Sequence, residues 1–176
     1  MHLKLKRTPG IYLAGFMGSG KSTVGLILAD RLGWDFVDID REIEATQGTT
    51  IGEIFDSRGE AEFRRIEAET LTAHLKQIEC GRPQVVALGG GAFVQEENFS
   101  RINNCGISVW IDCPFEIIEG RIAEEGLDRP NARDPQKLRA LYESRREGYA
   151  RADFRVDGSL VPEAVAEAVV ALPLWK

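Results

Sequence analysis

The chain has 176 residues, a length suited to one domain, and its 22 Lys and Arg against 28 Asp and Glu give a formal charge of −6. That balance excludes general binding to DNA, RNA or anionic membranes, each of which needs a concentrated basic surface. Hydrophobic residues at 43% and charged residues at 28% are globular proportions, so disordered, collagenous and coiled-coil classes are excluded as well.

The N-terminal stretch Met1 to Gly10 is too short and too basic to hold the apolar region of a signal peptide, and no apolar run reaches the roughly 20 residues that cross a bilayer. Cys80, Cys105 and Cys113 are odd in number and lack any metal-ligand spacing, so neither a disulfide framework nor a zinc site is expected. A reducing, cytoplasmic setting and a monomer are the expectation. His2 and His74 are expected to be solvent-facing or packed, without a catalytic role.

Short apolar runs alternate with helical periods from end to end, the pattern of a parallel sheet covered on both faces. Ile11–Ala14 reads as the first strand, followed by a glycine loop and a helix with Val24, Ile27, Leu28 and Leu32 on one stripe. Asp35–Val37 is the second strand. A helical insertion follows, with two capping boxes, Thr50-x-x-Glu53 and Ser57-x-x-Glu60, that predict two successive helices. Phe63, Ile66, Thr70, Leu71 and Leu75 mark the face of the second. Val85–Leu88, Ile107–Ile111 and Phe154–Val156 complete five strands, with Pro114 suited to the first position of the helix after strand four. Gly126 to Pro135 has no periodicity and reads as a loop, helical spacing resumes from Leu138 to Tyr149, and a last helix follows Pro162.

Gly15-Phe16-Met17-Gly18-Ser19-Gly20-Lys21-Ser22 fits G-x-x-x-x-G-K-[ST] between a strand and a helix. Glycines let successive N–H groups curl inward, and the helix N-terminus adds its positive end to the anion cradle. In such a loop Lys21 neutralises β/γ-phosphate charge and the Ser22 hydroxyl ligates Mg²⁺. The N-K-x-D base-reading element of GTPase switches is absent. Asp112 at the end of strand four is followed by Cys113 and Pro114, without the water-activating Glu of a dedicated ATPase. Transfer of the γ-phosphoryl group to a small acceptor is the reading that remains.

Asp38-Ile39-Asp40 lies at the carboxyl end of strand two, where ligands bind in doubly wound sheets, and alternation in an extended segment would put both carboxylates on one side. One suits Mg²⁺ through its waters and the other an acceptor hydroxyl; a helix N-cap role is the alternative for each. Arg64 and Arg145 fall on apolar-side helix positions and form a candidate bidentate clamp for a carboxylate or phosphate, with Glu67 as an internal partner for Arg64. Gly89-Gly90-Gly91 ends strand three and would let a ligand approach bare backbone, or it is a plain turn. Arg129, with Arg133 as substitute, sits where a closing lid brings a cation to the transferring group.

Taken together, Gly15 to Thr23, Asp38-Ile39-Asp40, Ile54-Phe55, Gly59-Glu60, Phe63-Arg64 and Gly89-Gly90-Gly91 resemble the shikimate kinase family in order and spacing over nearly the whole chain. The resemblance implies a three-layer α/β/α P-loop fold with a five-stranded parallel sheet of order 2-3-1-4-5. It implies one kinase domain over residues 1–176, with a substrate-binding helical region at about 39–78 and a lid at about 122–137. The implied reaction is phosphorylation of the 3-hydroxyl of shikimate by MgATP. On that pattern Gly18, Ser19, Gly20, Lys21, Ser22, Thr23, Arg121 and Arg129 bind ATP, with Arg121 packing on adenine. Ser22 and Asp38 hold the metal, and Lys21, Asp40 and Arg129 take part in catalysis. Asp40, Arg64, Gly89, Gly90, Gly91 and Arg145 bind shikimate, with Phe55, Phe63 and Glu67 at pocket positions.

Three departures stand out. Asn131-Ala132 replaces the two leucines usual after the lid Arg-Pro, and Arg145-Arg146-Glu147-Gly148-Tyr149 lacks the usual proline. Gly158-Ser159-Leu160-Val161 lacks a frequent arginine. A kinase for gluconate or an aminoshikimate, or an inactive nucleotide-binding homologue, are the alternative readings.

Overall fold

Strand β1 (Gly10–Ala14) is buried along its whole length, and its side chains divide by alternation between two separate cores. A computed structural model describes residues 10–126 and 133–175. Tyr12 and Ala14 face one core and Ile11 and Leu13 the other. The same alternation holds for β3 (Gln84–Ala87), where Val86 faces the first core and Val85 the second, and for β4 (Ile107–Asp112), where Trp110 opposes Val109 and Ile111. Strands buried on both faces read as continuous apolar runs, which is why they were legible in the sequence.

With β2 (Asp35–Asp38) and β5 (Phe154–Asp157) at the edges, the sheet is parallel throughout, in the order β2-β3-β1-β4-β5. One face is covered by α1 (Lys21–Leu32) and α8 (Pro162–Val170), through Val24, Leu28, Val165 and Val169. The other carries α2 (Ile39–Gln47), α3 (Ile51–Arg58), α4 (Glu60–Glu79), α5 (Glu96–Cys105), α6 (Phe115–Glu125) and α7 (Pro135–Tyr149), the larger apolar layer. Because β1 is central, the chain leaves it toward β2 on one side and later reaches β4 on the other. The crevice at the carboxyl end of β1 is therefore the topological switch point.

The helical insertion differs from expectation in three ways. It holds three helices, since α2 starts directly after β2 and Asp38 is its N-cap, the carboxylate accepting from Arg41 N at 3.2 Å. Asp40 therefore stands in the first helical turn and not in an extended segment; the helix path, not strand alternation, turns it inward. The Thr50–Glu53 capping box forms, but the Ser57–Glu60 box does not. Ser57 lies inside α3 and donates to Glu53 O at 2.6 Å, while Gly59, at φ 85°, turns the chain so that Glu60 opens α4. Elsewhere Pro114 is the N-cap of α6, one place before the expected first helical position. Helix α5 was not foreseen, because only Asn98 and Ile102 of its ten residues are buried and no apolar stripe marks it. His74 is packed, with Nε2 2.6 Å from Glu42 Oε2 and Nδ1 3.1 Å from Gln84 Oε1.

Thr50→Ala removes the hydroxyl that accepts from Glu53 N at 3.2 Å. Stability measured by urea unfolding should fall by about 1 kcal/mol, the usual cost of losing an N-cap.

Candidate active site

The glycine loop between β1 and α1 is shaped by conformations that side chains rarely adopt. Gly18 and Gly20 have φ of 73° and 95°, and a methyl on Gly15 would lie 2.7 Å from Ile111 O. Lys21 is buried, its Nζ donating to the carbonyl oxygens of Gly15 and Phe16 at 2.8 Å each. Ser19, Gly20, Lys21, Ser22 and Thr23 line one cavity of about 640 Å³ together with Asp38, Asp40, Gly90 and Arg121. Arg121, on α6, donates to Gly18 O at 3.1 Å and so rests against the loop. Gly158 and Leu160, from the late loop whose missing arginine the sequence showed, line the same cavity, as does Val165 of α8.

Ser22 Oγ donates to Asp38 Oδ2, so a hydroxyl and a carboxylate meet at the cavity wall. Both are hard oxygen donors, and two protein oxygens suit a small divalent cation that keeps water and phosphate oxygens as its other ligands. No group of three or more His, Cys, Asp or Glu among the described residues is arranged to hold a metal alone.

Beyond the loop, four charged side chains converge on the glycines after β3. A methyl on Gly89 would lie 2.7 Å from Asp40 Oδ1 and 2.8 Å from Glu67 Oε2. One on Gly90 would be 3.3 Å from Arg145 Nη1, and one on Gly91 2.7 Å from Arg64 Nη1. Bare backbone is thus what allows two carboxylates and two guanidiniums to gather here. Arg64 Nη1 donates to Glu67 Oε1 at 2.8 Å, which is the internal pairing considered from the sequence. The pairing is incomplete: Arg64 Nε and Glu67 Oε2 are buried with no hydrogen-bond partner. Phe63 packs beneath, its ring 4.8 Å from that of Phe55 and 5.2 Å from Arg64 Cζ.

Arg145 is 8% exposed, although it is a guanidinium. Burial pushes its pKa down, the adjacent Tyr149 works in the opposite direction, and Arg64 adds to the lowering. Its Cζ lies 5.6 Å from the centroid of Phe16, a residue of the phosphate loop. Tyr149, not among the expected site residues, donates its hydroxyl to Gly90 O, and burial pushes its pKa up to about 12. Its four-residue spacing from Arg145 was the signal that marked it. The neighbouring Arg146 turns away from the glycines to Asp112. Arg129 lies outside the described residues, and Arg133 pairs with Asp56 of α3 at 3.1 Å.

The arrangement can bind an anion twice over: phosphate at the loop, and a second acid between Arg64 and Arg145. A carboxylate between two guanidiniums can accept bidentate hydrogen bonds from each. Asp40 lines the phosphate-loop cavity and also reaches Gly89, so it adjoins both places.

Burial raises the Glu67 carboxyl above its ordinary value; the Arg64 guanidinium opposes this and Asp40 adds to it. A carboxyl raised in the folded state contributes stability below its unfolded value of about 4.3, and that contribution is lost as pH rises through the folded value. Glu67→Gln should therefore gain stability relative to the parent as pH climbs from about 4 to about 8 in parallel urea unfolding series. Parallel pH profiles for the two proteins would show that Glu67 titrates normally.

The family model described as shikimate kinase matches residues 17–172. The shikimate kinase of Gloeobacter violaceus is 41% identical over 160 residues, covering 89% of this chain and 88% of that protein. That of Aquifex aeolicus is 38% identical over 161 residues, covering 91% and 93%. Among solved structures, the shikimate kinase from Acinetobacter baumannii in complex with shikimate is 35% identical, covers 98% of this chain and 97% of its own, and has a TM-score of 0.87. A match that runs nearly from end to end, at this identity and with this sheet order, means that the chain belongs to the shikimate kinase family.

Proposed function

We propose that this chain transfers the γ-phosphoryl group of ATP to the 3-hydroxyl of shikimate, giving shikimate 3-phosphate and ADP. The observation that carries the reading is the convergence of Arg64 and Arg145 on Gly89–Gly91, beside a phosphate loop and with Asp40 between them. Shikimate has one carboxylate and several ring hydroxyls, groups that suit two guanidiniums facing glycine backbone.

In this reading Arg64 and Arg145 hold the acceptor carboxylate. Gly89, Gly90 and Gly91 offer close backbone to the ring, and Phe55 and Phe63 form its apolar side. Glu67 holds Arg64. Asp40 aims the 3-hydroxyl at the phosphoryl group, and a loose transition state asks little more of it. The loop amides from Gly18 to Thr23 cradle the phosphates while Lys21 faces the β/γ oxygens, and Arg121 covers the adenine side. Ser22 and Asp38 would hold Mg²⁺, which would supply neutralisation of phosphate charge. Arg129 is assigned from the sequence resemblance as the cation delivered by a lid at about 122–137 that excludes water. The whole chain is assigned as one kinase domain, with residues 39–78 as its acceptor-binding region, acting as a cytoplasmic monomer. Among the described residues no helix is long and apolar enough to cross a membrane.

A coupled assay of ADP release with shikimate, gluconate and an aminoshikimate at equal concentration tests the acceptor; shikimate should be the preferred one, and preference for another would overturn the reading. Arg64→Ala should raise the shikimate KM about 30-fold or more with ATP KM little changed, because removing one partner of a buried charge pair costs about 2 to 5 kcal/mol. Asp40→Asn should lower kcat with both KM values nearly intact, and near-normal turnover would remove Asp40 from the chemistry.

A further inference from the structure

Helix α7 carries Arg145, and it is fastened to the molecule on two sides. On one side Gly148 lies against Val94: a methyl there would be 2.5 Å from Val94 Cγ1 and 3.1 Å from Cβ. The missing side chain sets how closely α7 presses on the segment that follows Gly91. On the other side Arg146 grips Asp112, at the end of β4, with two hydrogen bonds: Nη1 to Oδ1 at 2.8 Å and Nη2 to Oδ2 at 3.2 Å. Asp112 Oδ2 is also paired with Arg155, and the carboxylate is only 10% exposed. Both guanidiniums lie over the Trp110 ring, each Cζ 5.0 Å from its centroid.

Exposed ion pairs contribute little, but this one is bidentate, mostly covered and seated on an aromatic face. It also continues inward. Arg146 Nη1 donates to the Tyr142 hydroxyl at 2.7 Å, and that hydroxyl donates to Cys113 O at 2.9 Å. The Tyr142 ring meets Phe16 edge-on at 5.4 Å, and Phe16 is the ring beneath Arg145. Adjacent helix positions point about 100° apart, and a 10° roll carries a side-chain tip at a radius of about 6 Å through about 1 Å. Misplacement on that scale is enough to weaken a bidentate grip.

We infer that Asp112, acting through Arg146, is a positioning residue for Arg145 and so helps set affinity for the acceptor's carboxylate. The inference rests on the proposed role of Arg145. In this chain the ion pair would do the work of holding α7 where the segment after Arg145 has Arg146-Glu147-Gly148 and no proline.

The test is steady-state kinetics on the full chain, with KM measured separately for shikimate and ATP. Asp112→Asn and Arg146→Met should each raise the shikimate KM about tenfold and leave the ATP KM within about twofold. Arg146→Lys, which keeps the charge without the fork, should fall between Arg146→Met and the parent. In an Arg145→Ala background Asp112→Asn should add nothing. Loss of folded protein alone would lower kcat with both KM values unchanged, and that result overturns the inference. So does an equal rise in both KM values, or an undiminished effect of Asp112→Asn without Arg145. A normal shikimate KM in Arg145→Ala would instead overturn the role assigned to Arg145 itself, whereas a raised KM there with a normal one in Asp112→Asn would overturn only the positioning step.

Discussion

A guanidinium that is nine-tenths hidden from water has lost most of its hydration, and something must stand in its place. Arg145 is in that position, and the structure around it can be read as the answer. Phe16 lies beneath it, Tyr149 beside it and Gly90 close against it. None of these carries a full negative charge, whereas Arg64 across the glycines has Glu67. Two guanidiniums and the carboxylates of Glu67 and Asp40 thus share one largely buried place, where each charge depends on the others for the stabilisation that water would otherwise give.

The glycines after β3 follow from the same constraint. Side chains there would collide with the oxygens of Asp40 and Glu67 or with the Arg64 guanidinium, so the charges can approach only over backbone. The sheet fixes where this happens. Gly89 to Gly91 extend from β3, which pairs directly with β1, and the phosphate loop extends from β1. The phosphate loop and the three glycines are neighbours because the strands are neighbours. Phe16 links them: its carbonyl oxygen accepts from Lys21, while its ring faces Arg145. A shift of that residue would be felt at both.

The charged surface of α7 is divided by helix geometry between two jobs. Arg145 faces the glycines, and Arg146, one position on, faces the end of β4, where Trp110 supports a second arginine. Burial separates the two residues: the first is enclosed, the second is covered mainly by its own ion pair and aromatic partners. The apolar stripe through Leu138, Tyr142 and Tyr149 sets that division, since it decides which way the helix rolls when it packs.

Much of this was legible in the residues alone. Strands buried on both faces, the glycine loop before α1, the Thr50–Glu53 cap and the apolar-side placement of Arg64 and Arg145 each depend on local pattern, and local pattern is what a sequence displays. The path of the chain after β2 was not. Asp38 ends a strand and caps a helix at once, so Asp40 reaches the site from a helical turn, and no periodicity over three residues could distinguish that from an extended run. Helix α5 buries only one side of a short polar segment, so its sequence displays no apolar stripe. The assembly of Asp40, Glu67, Arg64 and Arg145 around three glycines, and the grip of Arg146 on Asp112, join residues tens of positions apart. The sequence determined which chemistries were present and which elements would carry them; their meeting at one point was decided only when the sheet order and helix packing brought distant segments within hydrogen-bond reach.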